Sequence, residues 1–176
     1  ATQYFGLAVS TYRIEDLTRD VERLIASGGC ADDPAEMRRA SDRVRDRAVF
    51  FFQALRDIGV AGGAGPYAAR SPSPDRQRVA ASLLAGVQPA GAALRDALDG
   101  LQGVAALVRE PGEDVAAVAR RAGETRDELA FLLRAGDPDY VYYLEVRGRG
   151  VFLRASPIDV STIVRELLLD RMQATV

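Results

Sequence analysis

Apolar residues recur every three or four positions in four stretches of the chain, and this spacing is typical of one face of an α-helix. The first stretch runs from Tyr12 to Ser27 and the second from Pro34 to Gly59. The third extends from Asp75 to about Arg109, and the fourth from about Glu113 to Ala135. Mostly short turns join them. The pattern therefore predicts a mainly α protein built on an antiparallel bundle of about four helices.

Caps and helix breakers mark the expected ends of these helices. Ser10 or Thr11 is placed to act as the N-cap of the first helix. The segment from Gly59 to Pro74 is rich in glycine and proline, which predicts a loop, and Ser73-Pro74-Asp75 then starts the third helix. Glycine and proline also interrupt that helix, so we expect a break near Val87 to Gly91.

The hydrophobic period changes from about 3.6 to 2 after Asp139, which predicts β-strands. Gly148-Arg149-Gly150 permits a tight turn, and a second strand spans Val151 to Ala155, so we expect a small β-hairpin. A C-terminal amphipathic helix follows over Thr162 to Arg171. Two sets of residues are expected to alternate along the first strand: Val141, Tyr143 and Val146, and Tyr140, Tyr142 and Glu145.

The composition of the chain excludes several kinds of functional site. The chain has 176 residues and a formal net charge of −2, with 25 acidic residues, 23 basic residues and no histidine. All the basic residues are arginine, so a phosphate-binding loop that needs lysine is excluded. The lone Cys30 falls short of the roughly four ligands of a zinc or iron–sulfur site. The sequence predicts no catalytic residue, no metal site and no membrane-spanning stretch.

Two arginine clusters are candidates for contact with nucleic acid. Arg147 and Arg149 lie at the predicted hairpin tip beside Tyr140, Tyr142 and Tyr143, a combination that can hold a phosphate backbone and stack a base. The alternative is that these tyrosines only fill or edge a sheet.

The second cluster lies on the second predicted helix. Five arginines can meet phosphates there, namely Arg38, Arg39, Arg43, Arg45 and Arg47. Asp42 and Asp46 among them favour instead an ordinary solvated helix face. The Phe50-Phe51-Phe52 run follows on the same helix. Neighbouring residues point about 100° apart on a helix, so at least one ring should face away from the core, and packing is favoured over base stacking.

The two flanks of the chain resemble a known family. The order of Tyr140-Val-Tyr-Tyr-Leu-Glu-Val146, the Gly-Arg-Gly turn, a second strand and an amphipathic helix resembles the segment before the Thr-Ser-Ala-Thr motif of DinG/XPD-type DNA helicases. Ala1-Thr-Gln-Tyr-Phe-Gly6 resembles the segment immediately after their Asp-Glu-Ala-His box. The resemblance implies a motor-domain stub over 1–11, a helical arch-like domain over 12–138, and a hairpin and helix over 139–176 that rejoin the motor.

The resemblance also implies a function. The parent would be a cytoplasmic, ATP-dependent 5′ to 3′ DNA helicase of DNA repair that uses ATP and Mg²⁺. Both catalytic motifs would lie outside this chain, as would the iron–sulfur cluster that some members carry. The expected partners are single-stranded DNA and the motor domains in cis. The alternative from another class is a stand-alone helical module for protein–protein interaction.

Overall fold

The computed structural model describes residues 6–30, 33–62 and 76–158. Helices dominate these ranges, and four short strands form a single sheet. The elements in chain order are β1 (Leu7–Ser10), α1 (Thr11–Ala26), α2 (Pro34–Gly62), β2 (Arg76–Arg78), α3 (Ala81–Leu84), a 3₁₀ turn (Ala85–Val87), α4 (Gln88–Ala106), α5 (Glu113–Arg134), β3 (Tyr140–Arg147) and β4 (Gly150–Pro157).

The four long helices form the predicted antiparallel bundle, in which α1 packs on α2 and α5, and α4 packs on α2 and α5. Contacts between neighbouring helices run in opposite directions along the two partners. They include Arg13 with Glu128 and Asp20 with Arg121 between α1 and α5, and Gly91 with Leu133 and Asp99 with Arg126 between α4 and α5.

The bundle core consists mainly of large aliphatic side chains, with two phenylalanine rings of α2, on the helical stripe that the sequence pattern indicated. Phe51 is fully buried and Phe52 is 5% exposed, whereas Phe50 is 65% exposed. The expectation that one ring of this run faces away from the core is therefore confirmed. The largest fully buried helical side chains are Leu17, Met37, Phe51, Leu55, Leu84, Leu94, Leu98, Leu101, Leu129 and Leu132.

Hydrogen bonds between side-chain oxygens and nearby backbone N–H groups explain where the first two long helices begin. Ser10 has an extended backbone, and its Oγ accepts the N–H of Arg13 at 3.2 Å, so the predicted Ser10 cap of α1 is confirmed. Asp33 accepts the N–H of Glu36 at 3.0 Å in front of Pro34, which opens α2.

Two expected boundaries are wrong. Helix α2 continues past Gly59 to Gly62, and Gly59 packs against the sheet, since a Cβ there would lie 3.4 Å from a methyl group of Leu144. Arg76–Arg78 were expected to belong to the third helix but form strand β2, and the helix after this strand begins at Ala81.

The expected break in the third helix is confirmed, although it lies slightly earlier than predicted. It takes the form of the 3₁₀ turn at Ala85–Val87, after which α4 starts with proline in its first turn. The residues expected to start the third helix, the loop over 63–75 and the C-terminal helix over 162–171 lie outside the described residues.

The predicted hairpin is confirmed but belongs to a larger sheet. All neighbouring strands are antiparallel, in the order β1-β4-β3-β2. Val146 pairs with Val151, and Gly148 takes the positive φ of 56° that the two-residue turn requires. The edge strands β1 and β2 were missed because four and three residues are too few to show an alternating pattern. The sheet thus draws strands from all three segments that the sequence analysis distinguished.

Candidate nucleic-acid interface

One face of the sheet packs against the helices, and the opposite face carries charged and aromatic residues. Side chains alternate between faces along a strand, and directly opposite residues on neighbouring strands share a face. The face toward the bundle carries five buried residues of β3 and β4, which are Tyr142, Leu144, Val151, Leu153 and Ala155. The other face carries Arg76, Arg78, Tyr143, Glu145, Arg147, Phe152 and Arg154, and we call it the arginine face.

Glu145 lies at the centre of the arginine face and is only 4% exposed. Its carboxylate forms ion pairs with the Nε atom of Arg147 and, at 3.4 Å, with the Nε atom of Arg154. Arg76 lies directly opposite Glu145 on β2. Neither ion pair has hydrogen-bond geometry, and Glu145 Oε1 makes no hydrogen bond with the described residues. One buried anion therefore gathers several cations.

Arginine side chains also stack on the rings of this surface. The guanidinium carbon of Arg76 lies 3.8 Å from the ring centre of Tyr143, and that of Arg154 lies 5.0 Å from the ring centre of Phe152. Both distances fall within the range of cation–π attraction. The stacking restricts the planes of the guanidinium groups, so the surface presents ordered cations beside flat rings.

The hairpin turn extends this surface at one end. Arg149 is 77% exposed, lies 5.9 Å from the ring centre of Tyr12 and contacts Glu15 at 3.5 Å. Arg56 of α2 donates hydrogen bonds to the carbonyl oxygens of both turn residues, Gly148 and Arg149. The bundle therefore fixes where the turn and its cation lie.

The arginine face and the turn are positively charged although the whole chain is slightly acidic. Arg76, Arg78, Arg147, Arg149 and Arg154 against Glu145 and Glu15 leave a local charge of +3, compared with −2 for the chain. The side chains of Arg147 and Arg154 are 66% and 41% exposed. Accessible cations on a surface of this kind attract phosphate groups in a salt-dependent manner.

Two of the three predicted tyrosines do not lie with the two predicted arginines, whereas Tyr143 shares the sheet face of Arg147. Tyr142 is 5% exposed and its hydroxyl accepts the N–H of Asp137 at 3.3 Å, while burial raises the pKa of that hydroxyl above its usual value. Tyr140 packs edge-on against Phe131, with 5.1 Å between the ring centres. Both rings belong to the bundle side of the sheet, as in the alternative that the tyrosines only fill it.

The predicted cluster on α2 is a separate surface. Arg38, Arg39 and Arg43 are exposed, and both Arg39 and Arg43 pair with Glu36, at 3.2 and 3.5 Å. Arg38 and Arg43 lie about 27 and 20 Å along the helix from Arg56, at 1.5 Å per residue. Mixed charges of this kind are typical of a solvated helix face, and the structure does not join them to the hairpin.

Sequence reasoning missed most of the arginine face, although part of the signal was present. Tyr143 and Glu145 precede Arg147 by four and two residues, so strict alternation places all three on one face. The expected alternation was wrong in its last members, since Glu145 shares its face with Tyr143, and Val146 lies against α2 near Gly59. Arg154 and Phe152 follow from the hairpin register in the same way, whereas nothing in the sequence indicates Arg76 and Arg78.

The described parts of the chain contain no group of three or more histidine, cysteine, aspartate or glutamate side chains that could hold a metal ion. None of the helices in these ranges has both the length and the apolar character needed to cross a bilayer. Comparisons of the chain with protein-family models, with curated proteins and with solved structures found no match.

Proposed function

We propose that the chain is the arch segment of an ATP-dependent DNA helicase of the DinG/XPD type, and that its arginine face contacts single-stranded DNA. The observation that supports this proposal is the combination of accessible arginines with Tyr143 and Phe152 on one sheet face. Backbone phosphates bind the guanidinium groups, and bases stack on rings or on guanidinium planes. Such contacts hold a strand without reading its sequence.

The topology suits a domain inserted into a motor. Strand β1 pairs with β4, with Leu7 opposite Ala155, so the chain enters and leaves the helical bundle at neighbouring positions. A domain with adjacent entry and exit points can be inserted into a host without disturbing it. In the proposed parent, cytoplasmic motor domains in cis bind ATP and Mg²⁺ and drive 5′ to 3′ movement, and the arch encloses the strand.

The experiment that tests the proposal measures binding of a fluorescent oligothymidine to the 176-residue chain by anisotropy. About four phosphate contacts on a single strand predict a roughly 50-fold loss of affinity between about 50 and 200 mM salt. The double variant R78A/R149A removes two exposed cations of this surface and leaves the partners of Glu145 in place. We expect it to weaken binding and to reduce the salt slope by about 1.4.

Two matched double variants decide which surface meets DNA. R95A/R120A removes the same charge from exposed positions on α4 and α5, and R38A/R39A removes it from the α2 cluster. Both should bind nearly as well as the unsubstituted chain. Equal losses in all three double variants would mean that only net charge matters, and a loss confined to R38A/R39A would place the contact on α2.

A stand-alone helical module for protein–protein interaction is a second candidate, favoured by a different observation. Val49 and Phe50 are 64% and 65% exposed side by side on α2. Under this alternative they bind a protein partner, and a second copy of the chain is the occupant that can be tested directly. Self-association in sedimentation that F50S abolishes, together with no DNA binding at low salt, would favour the module over the arch.

A further inference from the structure

Glu145 is an unusual group at the centre of a surface proposed to bind an anion. Burying a carboxylate costs several kcal/mol of desolvation, which only well-placed partners offset. Glu145 is 4% exposed, and its Oε1 atom makes no hydrogen bond with the described residues. A buried polar group in this state calls for an explanation beyond sheet stability.

The sheet register shows what the carboxylate achieves. Arg154 lies opposite Tyr143, which is four residues before Arg147 on β3. The Cα atoms of Arg147 and Arg154 are therefore about 14 Å apart, from the strand rise and the strand spacing. Their Nε atoms nevertheless reach the same carboxylate. Two cations that repel each other converge because Glu145 lies between them.

We propose that Glu145 is a positioning residue that brings Arg147 and Arg154 together into one site for a phosphodiester of single-stranded DNA. This inference rests on the proposed function and assigns the phosphate contact to a particular pair of arginines. Both ion pairs are made through Nε. The terminal nitrogens of a guanidinium group are the donors that fork around a phosphate, and an arginine whose plane is fixed loses less entropy per bond.

The variant E145Q tests this inference through the sign of its effect. It removes one negative charge and raises the local charge from +3 to +4, as counted from the five arginines and two glutamates of this surface. Charge alone therefore predicts tighter binding of oligothymidine. Positioning predicts weaker binding by about tenfold, which is within the range of coupling between contacting residues. Unchanged or tighter binding by E145Q overturns the inference and leaves the proposed function in place.

Three further variants keep the result interpretable. E124Q removes a charge from an exposed position on α5 and should not weaken binding. E145D keeps the charge but shortens the side chain by one methylene, so it should also weaken binding. In an R147A/R154A background, E145Q should have no further weakening effect, since its two partners are gone. A tenfold loss that persists in that background overturns the inference.

A spectroscopic measurement distinguishes positioning from a general loss of structure. In the unsubstituted chain, the Nε–H signals of Arg147 and Arg154 should be more rigid in NMR relaxation than that of exposed Arg95. In E145Q they should become as mobile as Arg95, while the backbone amide spectrum of the bundle stays the same. Equal mobility in the unsubstituted chain overturns the inference, and failure of that chain to bind oligothymidine at low salt overturns both proposals.

Discussion

Arg56 Nη2 donates a hydrogen bond to the carbonyl oxygen of Arg149 at 2.8 Å, and Arg56 Nη1 donates another to Gly148 at 3.2 Å. Helix α2 is thus hydrogen-bonded to the backbone of the hairpin turn through the Arg56 side chain. A short turn at the exposed end of two strands is otherwise free to move. The contact couples the position of the exposed Arg149 side chain to the rigid part of the fold.

We expect R56A to destabilise the chain by about 1–2 kcal/mol, because two charge-assisted hydrogen bonds are lost at a partly exposed site. Hydrogen exchange of the amides around Gly148 should accelerate more than exchange in α4 and α5. R47A is the matched control, since Arg47 is exposed on the same helix. Equal urea midpoints for R56A and R47A would show that the hydrogen bonds from Arg56 to the turn contribute nothing to stability.

Tyr142 and Tyr143 should respond differently because they lie on opposite faces of the sheet. Y143A should lower the affinity for oligothymidine by about tenfold, since the surface loses a ring. Y142F should leave that affinity unchanged and lower stability by about 1 kcal/mol, because the N–H of Asp137 loses its acceptor. Anisotropy and urea unfolding measure the two effects, and a loss of affinity in Y142F would contradict the assignment of faces.

Two glycines of α4 should respond to alanine with opposite signs. A Cβ at Gly91 would lie 2.4 Å from a methyl group of buried Leu133, so G91A overpacks the α4–α5 contact and should cost about 1–2 kcal/mol. A Cβ at Gly100 would have no atom within 4 Å apart from its chain neighbours and the nearby backbone of its own helix, so G100A should stabilise the helix by about 0.5–1 kcal/mol. Thermal unfolding measures both. Stabilisation by G91A would mean that α4 and α5 are not in close contact there.

Cys30 predicts a pH dependence of stability. Burial raises the pKa of its thiol above the ordinary value of 9.0. The unfolded chain therefore releases this proton at lower pH than the folded chain, so the contribution is complete below about pH 9 and is lost as pH rises further. The urea midpoint should fall more between pH 8 and 10 in the unsubstituted chain than in C30A. Parallel slopes would show that the thiol does not distinguish the two states.

The helices were largely predictable because their signals are local. The spacing of apolar residues and the cap at Ser10 both act within a few residues, and α1 and α5 therefore match the prediction closely. The two edge strands lacked such a signal. Leu7–Ser10 and Arg76–Arg78 are strands because β4 and β3 offer them hydrogen-bond partners more than 60 residues away.

The residues of the candidate surface were likewise predictable only in part from the sequence. Arg147 and Arg149 were found because a glycine turn and a cluster of arginines can be read from sequence. Tyr140 and Tyr142 were placed beside them by proximity in sequence, which does not determine the face on which a strand residue lies. Of the three tyrosines predicted there, the register of the hairpin retains Tyr143, and it adds Phe152.

The sequence by itself determined a mainly helical bundle with a hairpin after it, and it excluded a phosphate-binding loop, since these properties depend on local periodicity and composition. The tertiary structure alone decided that four strands share one sheet and that Glu145 lies buried among arginines. The physical reason is that pairing between distant strands and the burial of a charge depend on contacts that no local pattern encodes.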